Sequence, residues 1–236
     1  MTKTFQNAFP VFSAPVFSKV FIDFDGTIAD NDVTDVLLER FAAPQWESLE
    51  EEWLAGKIGA RECMAEQIAL IKASPEELDE CLGEMQIDPA FPDFIHMLAR
   101  DNVDVAILSD GLDYSIKSIL HRYKLDDVKV VANRLIYKGD DRWQLQFPYK
   151  NTACPAGNCK CKHFNNIQKG FTLYIGDGTS DFCACGRADL VLAKGKLADY
   201  CSVNTIDYVR VENFSDIMSI WHQLQRPAKV RKRVAS

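Results

Sequence analysis

The chain is predicted to fold as an α/β protein with a largely parallel sheet, a helical insertion after its first strand and a small β-hairpin excursion. Three observations lead there. Short runs rich in β-branched and aromatic residues alternate with longer stretches of helical spacing, the pattern of βαβ units. Several of those runs are apolar throughout, as strands covered on both faces are. The interval from about residue 33 to 100 breaks the alternation with successive amphipathic helical patterns.

Along the chain, residues 1–18 read as an N-terminal tail, and 19–25 (KVFIDFD) as the first strand, which ends on Asp23 and Asp25. The helical insertion, 33–100, contains VTDVLLERF, WESLEEEWLAG, ARECMAEQIALIK and SPEELDECLGEM. In the last of these Ser74 is a good N-cap, Pro75 takes the first helical position and Glu77 completes a capping box. The α/β core resumes over 101–225 and joins 19–32, with strands at 103–110, 129–137, 171–177, 190–193 and 208–211. Helical spacing recurs at 112–123, 160–168 and 214–224. Alternation around KGDD (138–141) makes 129–150 a hairpin, and 226–236 is a basic C-terminal tail.

Composition excludes several classes of function. With 236 residues and 47% hydrophobic content, the chain can bury a sizeable core. A net charge of −7 opposes nucleic-acid binding, which needs surplus Lys and Arg to displace counterions. No stretch approaches the roughly 18 uncharged apolar residues of a membrane span. The N-terminus has no unbroken apolar region like that of a secretory signal. Eight cysteines are therefore expected to be mostly reduced, in a cytoplasmic protein that is a monomer or homodimer.

In an open parallel sheet the ligand crevice lies beyond the carboxyl ends of the strands. Asp23, Asp25, Ser109, Asp110, Asp177 and Asp181 would all arrive at that edge. Carboxylates converging there raise one another's pKa, and a hard divalent cation relieves them; oxygen-only ligands favour Mg²⁺. A carboxylate can also attack phosphorus, and a second acid two positions on can move protons to and from the reacting oxygens.

Taken together and in order, DFDGT, a strand ending in LSDG, a lysine near NCKCK, and GDGTSD resemble the four motifs of the haloacid dehalogenase (HAD) superfamily of Mg²⁺-dependent phosphatases, in its phosphoserine phosphatase-like branch. The resemblance runs from Phe21 to about Leu224 and implies a Rossmann-like core under a helical cap. It implies Asp23 as nucleophile, Asp25 as general acid/base and backbone ligand of Mg²⁺, and Asp177 as a further metal ligand. Gly26, Thr27, Ser109, Asp110 and Gly111 would bind phosphate, and Lys160 would neutralise charge. Asp181 would act behind the metal site, on metal-bound water or on the lysine.

CPAGNCKCK resembles the third motif of a subgroup that acts on 2-hydroxy-3-keto-5-methylthiopentenyl 1-phosphate or on phosphoethanolamine and phosphocholine. There the lysine follows the second cysteine, which selects Lys160 over Lys162. The substrate implied is a small phosphomonoester, with a methionine-salvage enol-phosphate first and phosphoethanolamine or phosphocholine as alternatives. Phosphoserine ranks lower: the amine-binding glutamate would fall at Asp32, a shortened equivalent, and the carboxylate-binding arginine near Ala65. Asp32 is the cap contact retained, ahead of Trp46, Glu47 and Arg61. Trp53, Trp143 and Trp221 are read as packing residues.

A rival reading attaches to Cys154, Cys159, Cys161 and His163, followed by Cys183 and Cys185. They could make a metal or redox site on a catalytically silent module, but the spacing is not that of paired zinc knuckles. Small apolar thiols packed beside the site are the favoured reading.

Overall fold

The computed structural model describes residues 16–165 and 170–225. The expected helix over 160–168 therefore lies partly outside the described residues, as do most of the N-terminal tail and all of 226–236.

Seven strands form one sheet in the order β4-β3-β2-β1-β5-β6-β7, where β1 is Phe17–Ile22, β2 Asp104–Leu112, β3 Lys129–Tyr137, β4 Trp143–Gln146, β5 Phe171–Gly176, β6 Leu190–Ala193 and β7 Tyr208–Arg210. Every pairing is parallel except β3 with β4, the antiparallel hairpin anticipated around KGDD. That turn runs through Gly139, Asp140 and Asp141, all at positive φ, where glycine and short acidic side chains are tolerated.

The sheet is covered on both faces, which explains its unbroken apolar strands. In β1, Val20 and Ile22 join one core cluster and Phe21 the other; Ile107 opposes Ala106 and Leu108 in β2 in the same way. The larger cluster carries helices α5 (Phe91–Arg100), α6 (Asp113–Arg122) and α9 (Phe214–Leu224), and the smaller carries the short α7 (Phe182–Cys185) and α8 (Gly195–Val203).

Four helices follow β1: α1 (Val33–Phe41), α2 (Gln45–Leu54), α3 (Ala60–Ala69) and α4 (Pro75–Glu84). The Ser74 capping box forms as expected, with Ser74 Oγ accepting from Glu77 N at 3.2 Å and Glu77 Oε2 accepting from Ser74 N at 2.7 Å. At the other end of α4, Arg122 of α6 donates to the carbonyls of Leu82 and Gly83. α5, which the sequence reading grouped with the insertion, packs on β2 and α9, with Phe94 against both Phe214 and Trp221. Its buried face of Phe91, Phe94, Ile95 and Leu98 is the reason, being wide enough to cover the sheet.

Two further boundaries differ from expectation. β1 begins at Phe17, inside the expected tail, because Phe17 is buried against Trp221. Lys160–Phe164 forms a 3₁₀ helix, which places residues three apart in line. Among the described residues no helix is long and apolar enough to cross a membrane.

Candidate active site

Strand order reverses at β1, whose neighbours are β2 and β5, and the predicted acids collect at the carboxyl ends of these three strands. β1 ends at Ile22, and Asp23 N extends the pairing by donating to Ile175 O at 2.9 Å. The chain then turns: Ile28 N and Ala29 N both donate to Phe24 O, at 2.8 and 2.9 Å. Gly26 takes φ +72° in this turn, and a Cβ there would lie 2.5 Å from Asp177 Oδ2. Only glycine lets the DFDGT turn approach β5's end so closely.

Asp23 is buried, and its Oδ1 accepts from Lys160 Nζ and Phe24 N, each at 2.7 Å. Its Oδ2 has no hydrogen-bond partner among the described residues. Burial raises its pKa, Asp181 adds to the effect, and Lys160 works against both. Asp25 Oδ1 accepts from Val33 N at 2.9 Å, and Oδ2 accepts from Ser109 Oγ at 3.3 Å. Burial, with the Asp32 charge behind it, pushes Asp25 up to about 7.

Lys160 is almost wholly buried, whereas Lys162 is exposed, so the structure brings the first of the two candidate lysines into the site. Its ammonium holds Asp23 Oδ1 and Asp181 Oδ1 at 2.7 Å each and Ser180 Oγ at 2.9 Å. Burial disfavours that charge, but Asp181 and Asp23 outweigh it and keep the lysine protonated. Asp181 also accepts from Tyr174 OH on Oδ1, and from Asp177 N at 2.9 Å and Gly178 N at 3.0 Å on Oδ2. Both of its oxygens are thereby engaged, one of them by the lysine.

Oxygens of Asp23, Asp177 and Asp181 come within 4.8 Å of one another. Since Asp181 is fully engaged, the carboxylates left to hold a cation are Asp23 and Asp177. Burial raises the pKa of Asp177 too, against the hydrogen bond from Thr27 Oγ1 at 2.8 Å. Four acids facing one buried ammonium is a donor set that fits a hard divalent ion.

The remaining predicted residues fall around this centre. Gly111 N donates to Ser109 Oγ at 2.8 Å, so Ser109 links the LSDG turn to Asp25. Thr27, expected at the phosphate, instead directs its hydroxyl to Asp177 and does not line the cavity. Asp110 lines it, and its carboxylate accepts from Asn158 N at 2.7 Å and Asn133 Nδ2 at 3.0 Å. Asn158 Nδ2 in turn donates to Ser109 O and Val131 O, at 2.9 and 2.8 Å. Sequence reasoning passed over both asparagines, although Asn158 stands two residues before Lys160.

A cavity of about 500 Å³ opens over Asp23, Asp25, Asp110 and Asp177, and the helices after β1 wall its other side. Asp32 is on that wall as expected, with Asp35, Glu50, Trp53 and Met64 beside it. Trp53 therefore faces the cavity, half-exposed, while Trp143 and Trp221 are packed in the core as read. Arg61, weighed as a contact, turns away and donates to Cys154 O at 2.6 Å and Ala156 O at 3.0 Å. Trp46 packs against the core, and Glu47 lies one helical turn before Glu50 on α2.

A model of the haloacid dehalogenase-like hydrolases matches residues 20–185, most of the chain. The chain belongs to that family. A 2-hydroxy-3-keto-5-methylthiopentenyl-1-phosphate phosphatase from Brevibacillus brevis is 29% identical over 88% of this chain and 96% of its own. One of the same name from Bacillus mycoides is 26% identical over 85% of this chain and 94% of its own. Among solved structures, a phospho-aspartyl intermediate analogue of phosphoserine phosphatase superposes with a TM-score of 0.63 at 19% identity, covering 87% of this chain and 99% of that one. A phosphoserine phosphatase from T. onnurineus gives 0.64 at 18% identity, covering 89% and 96%. At such identities the last two speak for the fold, a haloacid dehalogenase-like sheet with β1 at its centre.

Proposed function

We propose that this haloacid dehalogenase-like hydrolase is a Mg²⁺-dependent phosphomonoesterase working through an aspartyl-phosphate on Asp23. One observation carries the reading: Asp23 lines the cavity with Oδ1 held by Lys160 and Phe24 N, while its Oδ2 has no hydrogen-bond partner among the described residues. Oδ2 attacks phosphorus, and Lys160 offsets charge on the attacking carboxylate. Asp25 carries a proton to the leaving oxygen, for which a pKa raised to about 7 suits it, and later takes one from the attacking water. The amides of Gly26 and Asp110 hold the phosphoryl oxygens, while Ser109, fixed by the Gly111 amide, orients Asp25 and Thr27 orients Asp177. Mg²⁺, held by Asp23, Asp177 and the Asp25 carbonyl, would supply Lewis-acid stabilisation of the transferring group. The helices after β1 serve as a cap that excludes water.

For the leaving group, the wall of Asp32, Asp35 and Glu50, in a cavity lined by no Lys or Arg among the described residues, favours an ester bearing a cation, such as an amino-alcohol phosphate. It opposes phosphoserine, whose carboxylate would meet no bidentate partner. A second reading, a neutral thioether enol-phosphate, is favoured by Leu38, Trp53 and Met64 in the same wall and by the names of the relatives above.

Turnover of p-nitrophenyl phosphate should require Mg²⁺ and fall by at least about 10³-fold in Asp23→Asn, as for loss of a covalent nucleophile. Equal turnover in wild type and variant would end the proposal. Rates on phosphoethanolamine, phosphocholine and the enol-phosphate, compared between wild type and Glu50→Gln, separate the two leaving groups. Only a cationic substrate should lose KM in the variant.

A further inference from the structure

Four thiols surround the backbone that presents Lys160, and the chemistry above uses none of them. Cys159 precedes the lysine and Cys161 follows it, with their sulfurs 3.3 Å apart. Cys154 lies near enough to Cys159, and Cys183 at the start of α7 near enough to Cys161, for each pair to shift one another's pKa, so the row runs Cys183, Cys161, Cys159, Cys154. Accessibility falls from Cys183, which is exposed, through the half-buried Cys161 to the buried Cys159, beyond which Cys154 is half-buried again.

The two inner thiols are electronically unlike. Cys159 Sγ is hydrogen-bonded with Cys161 Sγ and accepts from Asn151 Nδ2 at 3.6 Å, and these contacts, with Lys162 N and Cys154 close by, outweigh burial to lower its pKa. Cys161 is pushed by burial and by Cys159 up to about 12. Of these two, Cys159 is the readier thiolate, beside a protonated neighbour. No three of the four sulfurs fall in a mutual cluster of metal-binding size, which sets the row apart from a metal cage.

We propose that this row is a dithiol switch answering to peroxide, in which oxidation enters at Cys183 and ends as a Cys159–Cys161 disulfide that displaces Lys160 from Asp23. The exposed Cys183 sulfur attacks the O–O bond of hydrogen peroxide, giving a sulfenic acid and, with the thiol proton, one water. Cys161 displaces the sulfenic hydroxyl as a second water, forming a Cys161–Cys183 disulfide. The Cys159 thiolate then attacks the Cys161 sulfur and releases Cys183 as thiolate. In sum, two thiols and one peroxide give one disulfide and two waters.

Closing 3.3 Å to the roughly 2.05 Å of an S–S bond tightens a ring of backbone and side chains that encloses one residue, Lys160. Its ammonium, held by three contacts of 2.7–2.9 Å, tolerates little displacement. Transient disulfides of this kind are the sort found in reducing compartments. The loss of activity rests on the phosphomonoesterase reading, whereas the disulfide itself does not.

The full chain, treated with hydrogen peroxide, alkylated and digested, is mapped by mass spectrometry while p-nitrophenyl phosphate turnover is followed before and after dithiothreitol. The peptide holding residues 159–161 should lose two hydrogens, and turnover should fall about 10²-fold, as for a misplacement near 1 Å, then return on reduction. Cys183→Ser should keep the starting turnover and form the disulfide at least about tenfold more slowly, for want of an accessible entry thiol. Cys161→Ser should keep it and form none. No disulfide, one confined to another pair, or a Cys159–Cys161 bond without loss of turnover overturns the switch. A chain inactive before oxidation overturns the phosphomonoesterase reading alone, and the mass map still decides for or against the disulfide.

Discussion

Asp181 holds more of the site together than any residue that lines the cavity. Its two oxygens receive Lys160, Tyr174 OH and the amides of Asp177 and Gly178, so one carboxylate sets the lysine and the first turn after β5 together. Burial opposes the charge, yet Lys160 and these donors hold its pKa below the usual carboxylate range. Asp181→Ala would leave a buried ammonium with Asp23 as its one carboxylate and orphan Tyr174 OH. We expect it to cost about 3–5 kcal/mol in chemical denaturation, as for a broken buried ion pair. A loss near zero would mean that Lys160 is solvated in the folded chain. The order of motifs located Asp181 in the sequence but left it two roles, because a choice between metal-bound water and lysine depends on which neighbours reach its oxygens.

Elements were legible where local chemistry sets their ends. Ser74, Pro75 and Glu77 announce α4, and the capping box they make is present at both hydrogen bonds. Ser74→Ala should lower stability by about 1 kcal/mol, read from the denaturation midpoint, with Ser74→Asp recovering most of it. No change would assign α4 wholly to packing against α1 and α6. Legibility failed where packing decides. In α2 no residue is buried, so the pattern of WESLEEEW did not reveal that Glu50 and Trp53, three apart, are the pair turned towards the cavity. Likewise, Lys160–Phe164 winds as a 3₁₀ turn in place of the α-helical spacing read from KCKHF.

At the scale of the whole molecule, Asp23, Asp25 and Asp177 all have carboxyl pKa values raised chiefly by burial, so the folded chain binds protons that the unfolded chain has released. Stability of the metal-free protein is therefore greatest below the unfolded value of 3.8 as far as Asp25 is concerned, and is lost as pH rises through about 7. In EDTA the melting temperature should be lower at about pH 8 than at about pH 6. Mg²⁺ should raise it more at the higher pH, since a cation bound only by the folded chain stabilises by mass action and needs ionised ligands. A melting temperature indifferent to both EDTA and Mg²⁺ would count against the metal reading.

Alternating β-rich and helical runs were enough to determine an α/β sheet with a helical insertion, and four ordered motifs were enough to single out Asp23, Asp25, Lys160 and Asp177, which the fold gathers at one sheet edge, since strand period, capping and motif order are local properties of the chain. The tertiary structure alone decided that α5 covers the sheet, that Thr27 faces Asp177, that Asp181 holds Lys160, and that Glu50 and Trp53 meet the cavity. Each of these depends on a contact between residues distant in sequence, and the direction of a side chain at such a contact is set by what packs against it.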